Sequence, residues 1–555
     1  DYATAYSNKG IALYNLGRYD PALKAFETAI KLEPDDAFDY RWIGKILRKL
    51  KRFDAALAAF EQAIELAPTD ARGSNVRGNV LYDLKRYNEA LTNYERAVQL
   101  DPQEPTYQHN KGLALFELIR YDEALASYNQ ALLLKPNYAQ AFYSKGQLLY
   151  EIKRYDEALA AFGQASTLYP DDVDYQYSLG ITLNELKRYT EALTHFERMM
   201  IQHPDYTDAY GGQGYALMGL QRYEEALAAY DHAIRLNPAI ASYYNGRGSA
   251  LRECQRYEEA LSAFEKAIEL DPEHATYYCN KGSIFWELKR YEDYLKISEQ
   301  ATRIDPKSAL AYQCKGIALS HFGRYVEAYV AFERALYLDP NNATTLDHKG
   351  LTLYTLRRYK HALAAFEQFA RLEPVNSLPY VRQAAVLTSL KQYKRALAMY
   401  DQAAYLDQEN RTAHHGRAVA LTGLKRYSEA LEAFEQTLQL NAQDESIYLD
   451  KGRLLLKLKR RQEATVTLEQ ALALVEAAIV IDSANAAKYT TKAYILFYLR
   501  RYQETLAACE RTLQLNPKNE SIHRLKVRTL IKLGHFKESF AAARQAASAL
   551  REMFF

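Results

Sequence analysis

The chain has 555 residues, and 71 basic against 69 acidic side chains leave a formal charge of +2. So small a net charge argues against the broad electrostatic footprint of a general nucleic-acid binder. Cys254, Cys279, Cys314 and Cys509 form no CxxC pair and are too few for a disulfide framework, which points to a reducing, cytoplasmic setting.

Read from Ala3 in rows of 34, the sequence keeps its register without a gap through Asp444, which makes thirteen consecutive repeats. Place 8 of each row holds a small residue, beginning Gly10, Gly44, Gly78, Gly112, Gly146 and Gly180 and ending Ala384 and Ala418. Ala stands at place 20 (Ala22, Ala56, Ala90, Ala124) and Pro at place 32 (Pro34 and Pro68 onward to Pro374). Aromatic residues fill place 17 (Tyr19, Phe53, Tyr87, Tyr121, Tyr155) and place 24 (Phe26, Phe60, Tyr94, Tyr128, Phe162).

Places 4, 8 and 11 fall on one side of a first helix, A, and places 17, 20, 24 and 27 on one side of a second, B, by the 3.6-residue period. The spacing therefore predicts two amphipathic helices in every repeat. Gly and Ala at places 8 and 20 let the backbones approach, and the aromatics fill the space between layers. Asp20, Asp54, Asp122, Asp156 and Glu224 at place 18 are expected to cap helix B by accepting its free N–H groups. The Pro at place 32 stops helix B, and the Arg at place 16, as in Arg154, is expected to face the negative end of helix A.

Farther along, Tyr294 stands where Ala is usual and Ser298 where an aromatic is usual, so in repeat nine the bulk moves by one helical turn. The fourteenth repeat, 445–485, carries seven extra residues, nearly two turns, which lengthen helix B without rotating its buried face. Two further repeats span 486–555, and their last helix carries Phe540, Leu550, Met553, Phe554 and Phe555 as an apolar end. That end is expected to meet more protein or to stack copies end to end. No apolar run is expected to reach the ~18 residues of a membrane span. The start lacks a signal peptide and an initiator Met, so the chain reads as a piece of a longer protein.

Small residues at places 8, 20 and 27, aromatics at 17 and 24 and Pro at 32 resemble the tetratricopeptide repeat, and the resemblance covers essentially the whole chain. It departs in two ways: Tyr or a polar residue usually stands at place 4, and Lys or Arg (Lys9, Arg77, Lys111, Lys145) often at place 7. The resemblance implies an all-α fold, an α-solenoid of antiparallel helix pairs wound into a right-handed superhelix. It also implies a concave groove lined by the A helices that receives a protein or an extended peptide.

In that groove, places 5, 6, 9, 12 and 13 vary along the chain. Repeat two is basic around a ring, with Arg41, Trp42, Lys45, Arg48 and Lys49. Asp83, Glu117, Glu151 and Glu185 form an acidic ladder at place 13, beside a row of aromatics at place 12, Tyr14, Tyr82, Phe116, Tyr150 and, later, Trp286. Aromatics beside charges anchor and register peptides in grooves. The same residues also fit a structural role, with rings packed on neighbouring A helices and carboxylates paired to nearby Lys and Arg.

The family's carboxylate clamp is absent, because Lys45 stands where its Asn is required and no basic pair neighbours Asn79. Asn8, Asn110 and Asn280 make only a broken version of the asparagine ladder known from glycosyltransferase arms. Asn280, Cys314 and His348 share place 6 in consecutive repeats, but helix axes about 8–10 Å apart separate them too far for nucleophilic catalysis. No metal spacing, phosphate loop or nucleophile elbow occurs, so neither cofactor nor catalytic residue is expected. The basic runs 41–52 and 451–461 read as solvated surface or as docking sites for an acidic partner. The chain thus reads as a non-catalytic interaction scaffold; the alternative is a sensor or regulatory arm of a larger protein.

Overall fold

In a computed structural model the described residues are 2–440 and 442–551, with side chains as far as residue 545. Among them are 32 helices, numbered α1 to α32 in chain order, and no strand. Contacts divide the chain into two units, residues 1–272 and 273–555. Each is an all-α solenoid of antiparallel helix pairs. In the first, α1 (Tyr2–Asn15) and α2 (Tyr19–Leu32) are followed by α3 (Ala37–Lys49), α4 (Phe53–Leu66) and α5 (Ala71–Asp83), and the pattern repeats. The odd-numbered helices are the A helices and the even-numbered ones the B helices.

In repeats one to eleven the interior is a ring seated on a glycine. Phe162 in α10 (Tyr155–Leu168) is buried, and a Cβ on Gly146 in α9 (Ala139–Glu151) would lie 2.6 Å from its Cε1. Gly10 with Phe26 and Gly44 with Phe60 repeat the contact. Place 8 is therefore small to accommodate the edge of an aromatic ring, and not to bring two backbones together. In the second unit, Gly282 in α17 (Ala275–Glu287) lies under the ring of Tyr294 in α18 (Tyr291–Ile304), and Ser298 is buried. The ring has moved one turn, as the sequence indicates.

The turns correct one expectation. Helix B begins at place 17, so place 18 already lies inside the helix, and residues such as Arg52, Arg120 and Arg154 occupy the N-cap with no side-chain cap bond. The place-18 acids face the helix dipole without capping it, and Glu224 also lies 3.9 Å from Arg256. True caps open the A helices: Asp36 accepts from Phe38 N–H, Asp70 from Arg72 N–H and Asp172 from Asp174 N–H. The place-16 arginines lie just past helix A, and their guanidiniums are also engaged by acids of helix B; Arg154 pairs with Glu157 at 2.6 Å, and Arg86, Arg120, Arg188 and Arg222 pair likewise three residues on. Place 15, between the helices, is left-handed, with φ of 57° at Lys51 and 61° at Lys153.

The basic residues at place 7 gain a reason. Arg77 lies 3.6 Å from Glu61 and Lys111 lies 3.4 Å from Glu95, each reaching back to the preceding B helix. In the second unit, α28 (Arg461–Ile481) has 21 residues where the neighbouring B helix α30 (Tyr502–Leu515) has 14. It overturns the expectation about membrane spans, since by length and composition it is apolar enough to cross one. Within residues 464–481 only Glu469 and Glu476 are charged, too few to break the run. Leu468, Ala471, Leu472 and Val475 nevertheless bury one stripe of it in the core of that unit. Also there, Arg357 Nη2 lies 3.0 Å from Glu520 Oε2, an ion pair between residues 163 apart in sequence. Phe540 is exposed, whereas Leu550, Met553, Phe554 and Phe555 lie outside the described side chains.

Candidate functional site

The A helices of the first unit bury one stripe and leave the rest of their surface to vary. In α3 the buried residues are Asp39, Gly44, Ile46 and Leu47. The helical period then turns Arg41, Trp42, Lys45, Arg48 and Lys49 to the other side. There α1, α3 and α5 enclose a cavity of about 610 Å³, lined by Tyr14, Trp42, Lys45, Arg48, Lys49, Lys51, Asn79 and Asp83. Phe53, Phe60 and Val76 complete its wall.

Its apolar side is a preorganised ring cluster. The Trp42 indole stacks on Phe26 at 5.8 Å with planes 8° apart and meets the Tyr14 ring edge-on at 5.3 Å. Lys45 Nζ stands 4.6 Å over the Trp42 ring, close enough for a cation–π attraction. Two guanidiniums nearby are already occupied. Arg41 Nη1 lies 2.5 Å from Asp70 Oδ2, while Arg48 grips Asp83 through Nε at 2.5 Å and Nη2 at 3.0 Å. Among the described residues no carboxylate pairs with Lys45, Lys49 or Lys51. Burial, together with the Arg41 and Arg72 guanidiniums, holds the Lys45 ammonium below the usual lysine range.

Beyond the cavity the row is more self-satisfied. Asn110 Nδ2 donates to Asn75 Oδ1 at 2.8 Å, and the Tyr94 hydroxyl donates to Asn79 Oδ1 at 2.9 Å. Tyr82 donates its hydroxyl to Glu117 at 3.0 Å, and burial with that carboxylate beside it raises the phenol above its ordinary range. The place-12 rings are half-buried and not fully exposed, each against the tyrosine that opens the following B helix. Tyr82 and Tyr87 lie 5.3 Å apart, Phe116 and Tyr121 5.8 Å, and Tyr150 and Tyr155 5.3 Å. Glu151 is exposed and Glu185 half-buried. The structure thus gathers Tyr14, Trp42, Lys45, Arg48, Lys49, Asn79 and Asp83 around one cavity. Arg41 stands beside it on Asp70, and Asn110, Phe116, Glu117, Tyr150, Glu151 and Glu185 follow along later A helices. Trp286 belongs to the other unit, where it meets Tyr291 at 5.1 Å.

Sequence reasoning missed Lys51 and Phe53 as part of this site, because Lys51 sits in the turn between the helices and Phe53 opens α4, so neither lies on the A-helix face. The usable signal was place 15 itself, where Gly17 and Gly323 in other repeats mark a left-handed turn between the two helices. Elsewhere, Cys314 has Cys279 and Tyr294 as hydrogen-bonding neighbours, and His348 stacks on Phe332 at 5.9 Å. That constellation is a packed interior, not a nucleophile with its base.

Models described as tetratricopeptide repeat match residues 7–71, 109–166, 143–207, 183–246, 275–308, 382–445 and 421–478. A further model, described as TPR repeat, matches 78–118 and 248–289. Curated proteins return no match. Among solved structures, a crystal structure of the APC/C hetero-tetramer Cut9-Hcn1 is 16% identical over 94% of this chain and 95% of that chain, with a TM-score of 0.46. The thermophilic TPR protein TTC0263 of Thermus thermophilus is 28% identical over 33% of this chain and 98% of its own, with a TM-score of 0.30. With family matches recurring from residue 7 to residue 478 and a helix pair at each of these repeats, the chain belongs to the tetratricopeptide repeat family.

Proposed function

We propose that the chain is a non-catalytic protein-interaction scaffold whose A-helix face in residues 1–272 receives an extended peptide or protein segment. The observation that carries this reading is the cavity of about 610 Å³ on that face. It joins a fixed aromatic wall to lysines that no carboxylate of the described residues pairs with. Preorganised rings lower the ordering cost of binding, and the surrounding polar groups give orientation. The half-buried place-12 rings continue the surface across α5, α7 (Pro105–Glu117) and α9. A reducing, cytoplasmic setting agrees with four thiols that form no disulfide.

The reading is tested by selecting extended peptides on the immobilised full chain and photo-crosslinking the binders. Crosslinks are expected on α1, α3, α5 and α7. Crosslinks confined to the outer faces of the B helices would contradict the assignment.

A further inference from the structure

We infer that the cavity between α1, α3 and α5 seats clustered side-chain carboxylates of an acidic peptide segment, packed around an apolar or aromatic residue that contacts Trp42. The inference rests on the scaffold reading and supplies the chemistry of its ligand.

The reason is an imbalance of charge in a confined space. Four cations line the cavity, and the one carboxylate among its lining residues, Asp83, is held by Nε and Nη2 of Arg48. Lys45, Lys49 and Lys51 remain, with Lys45 half-buried over the Trp42 ring and in the repulsive field of the Arg41 and Arg72 guanidiniums. A half-buried cation facing other cations is costly to hold in charged form, and a carboxylate placed beside it removes that cost. The half-buried Trp42 ring, fixed by Phe26 and Tyr14, adds apolar surface to the same cavity.

The surroundings select among anions. A nucleic-acid strand carries phosphates at every step, and along this face it would run from the lysines onto Glu117, Glu151 and Glu185. A short acidic peptide segment satisfies the lysines and stops before those carboxylates. Side-chain carboxylates are the chosen source, since the lysine cluster is spread over α3 and the turn after it and no single point gathers a chain terminus.

The experiment uses the full chain and fluorescein-labelled peptides acetylated and amidated at their ends, so that no terminal carboxylate is present. One peptide carries glutamates on both sides of a phenylalanine; matched peptides carry glutamine or lysine instead. The acidic peptide is expected to bind at least about tenfold more tightly than the glutamine peptide, and more weakly as salt rises. Lys45→Gln with Lys49→Gln is expected to remove that preference while thermal unfolding is unchanged or raised, and Lys153→Ala is expected to leave binding as it was. Equal binding of acidic and glutamine peptides overturns the inference but leaves the scaffold reading intact. Failure of every peptide to bind overturns both. Displacement of the acidic peptide by a single-stranded oligonucleotide at lower concentration than by unlabelled peptide overturns the choice of ligand.

Discussion

Gly146 and Phe162 are fitted to each other so closely that a single methyl on the glycine would stand 2.6 Å from Phe162 Cε1. The same contact joins Gly112 to Tyr128 and Gly350 to Phe366. One steric relation thus sets the closeness of the two helices from the first repeat to the eleventh.

Gly146→Ala is expected to destabilise α9 and α10 by about 1–3 kcal/mol through overpacking, more than any gain in helix propensity returns. Gly282→Ala meets its nearest ring atom, Tyr294 Cδ2, at 3.0 Å and is expected to cost less. Hydrogen exchange of the two helix pairs compares the sites locally, which suits an array whose repeats open separately. Equal losses at both sites would contradict the assigned contact.

At Lys153 the backbone is left-handed, with φ of 61°, a conformation that favours glycine. Lys153→Gly is expected to stabilise the local hairpin by roughly 0.5–1 kcal/mol, Lys153→Ala to be nearly neutral, and Lys153→Val to destabilise it. Gly17, Gly323 and Gly534 already occupy the same place. Local exchange rates in α9 and α10 provide the check.

His109 gives the first unit an acid-sensitive point. Its Nε2 lies 3.0 Å from Ser144 Oγ, its ring packs against Tyr128 and Tyr138, and burial pushes the imidazole down to about 4. A histidine held neutral in the fold lets the unfolded chain bind the extra proton. Its contribution is therefore complete above the ordinary value of 6.5 and is lost as pH falls through about 4. Exchange protection in α7 is expected to decline across that window by up to about 1.4 kcal/mol per pH unit, and His109→Gln is expected to flatten the dependence. An unchanged profile in His109→Gln would assign the acid sensitivity elsewhere.

Asp83 competes with any acidic ligand for Arg48. Asp83→Asn is expected to tighten binding of the acidic peptide by about 3- to 10-fold, because a guanidinium is released into the cavity. Weaker binding would mean that the Arg48–Asp83 pair is needed as it stands. Fluorescence anisotropy with the same labelled peptide reads the difference.

Much of the fold was legible because each repeat states its own helix phase: Gly146, Ala158 and Phe162 recur at fixed places, and steric fit follows from the period. The bulk shift from Ser298 to Tyr294 could be read for the same reason. The caps could not, since an acid at place 18 looks like a cap until Tyr155 is found to be already helical, which puts Asp156 inside the first turn. The period assigns the candidate site residues to A helices but does not reveal their pairings. Arg48 with Asp83, Tyr82 with Glu117, His109 with Ser144 and Asn75 with Asn110 are all 35 residues apart. That spacing, one repeat plus one residue, joins neighbouring A helices, and a search for complementary residues at 35 would have found these pairs. Lys111 with Glu95 and Lys349 with Glu333, 16 apart, reveal the matching rule between a B helix and the next A helix. The cavity itself depends on α1, α3, α4, α5 and a turn meeting, which no single repeat encodes.

Trp42 offers the most direct measurement of the central claim, that the A-helix face around repeat two is where a partner segment binds. The chain has two tryptophans, so Trp286→Phe leaves Trp42 as the sole indole reporter. Titration with the acidic peptide is expected to shift Trp42 emission saturably, with the same midpoint as anisotropy, and Lys45→Gln with Lys49→Gln is expected to abolish the shift. Saturable binding by anisotropy with no change in Trp42 emission would contradict the account.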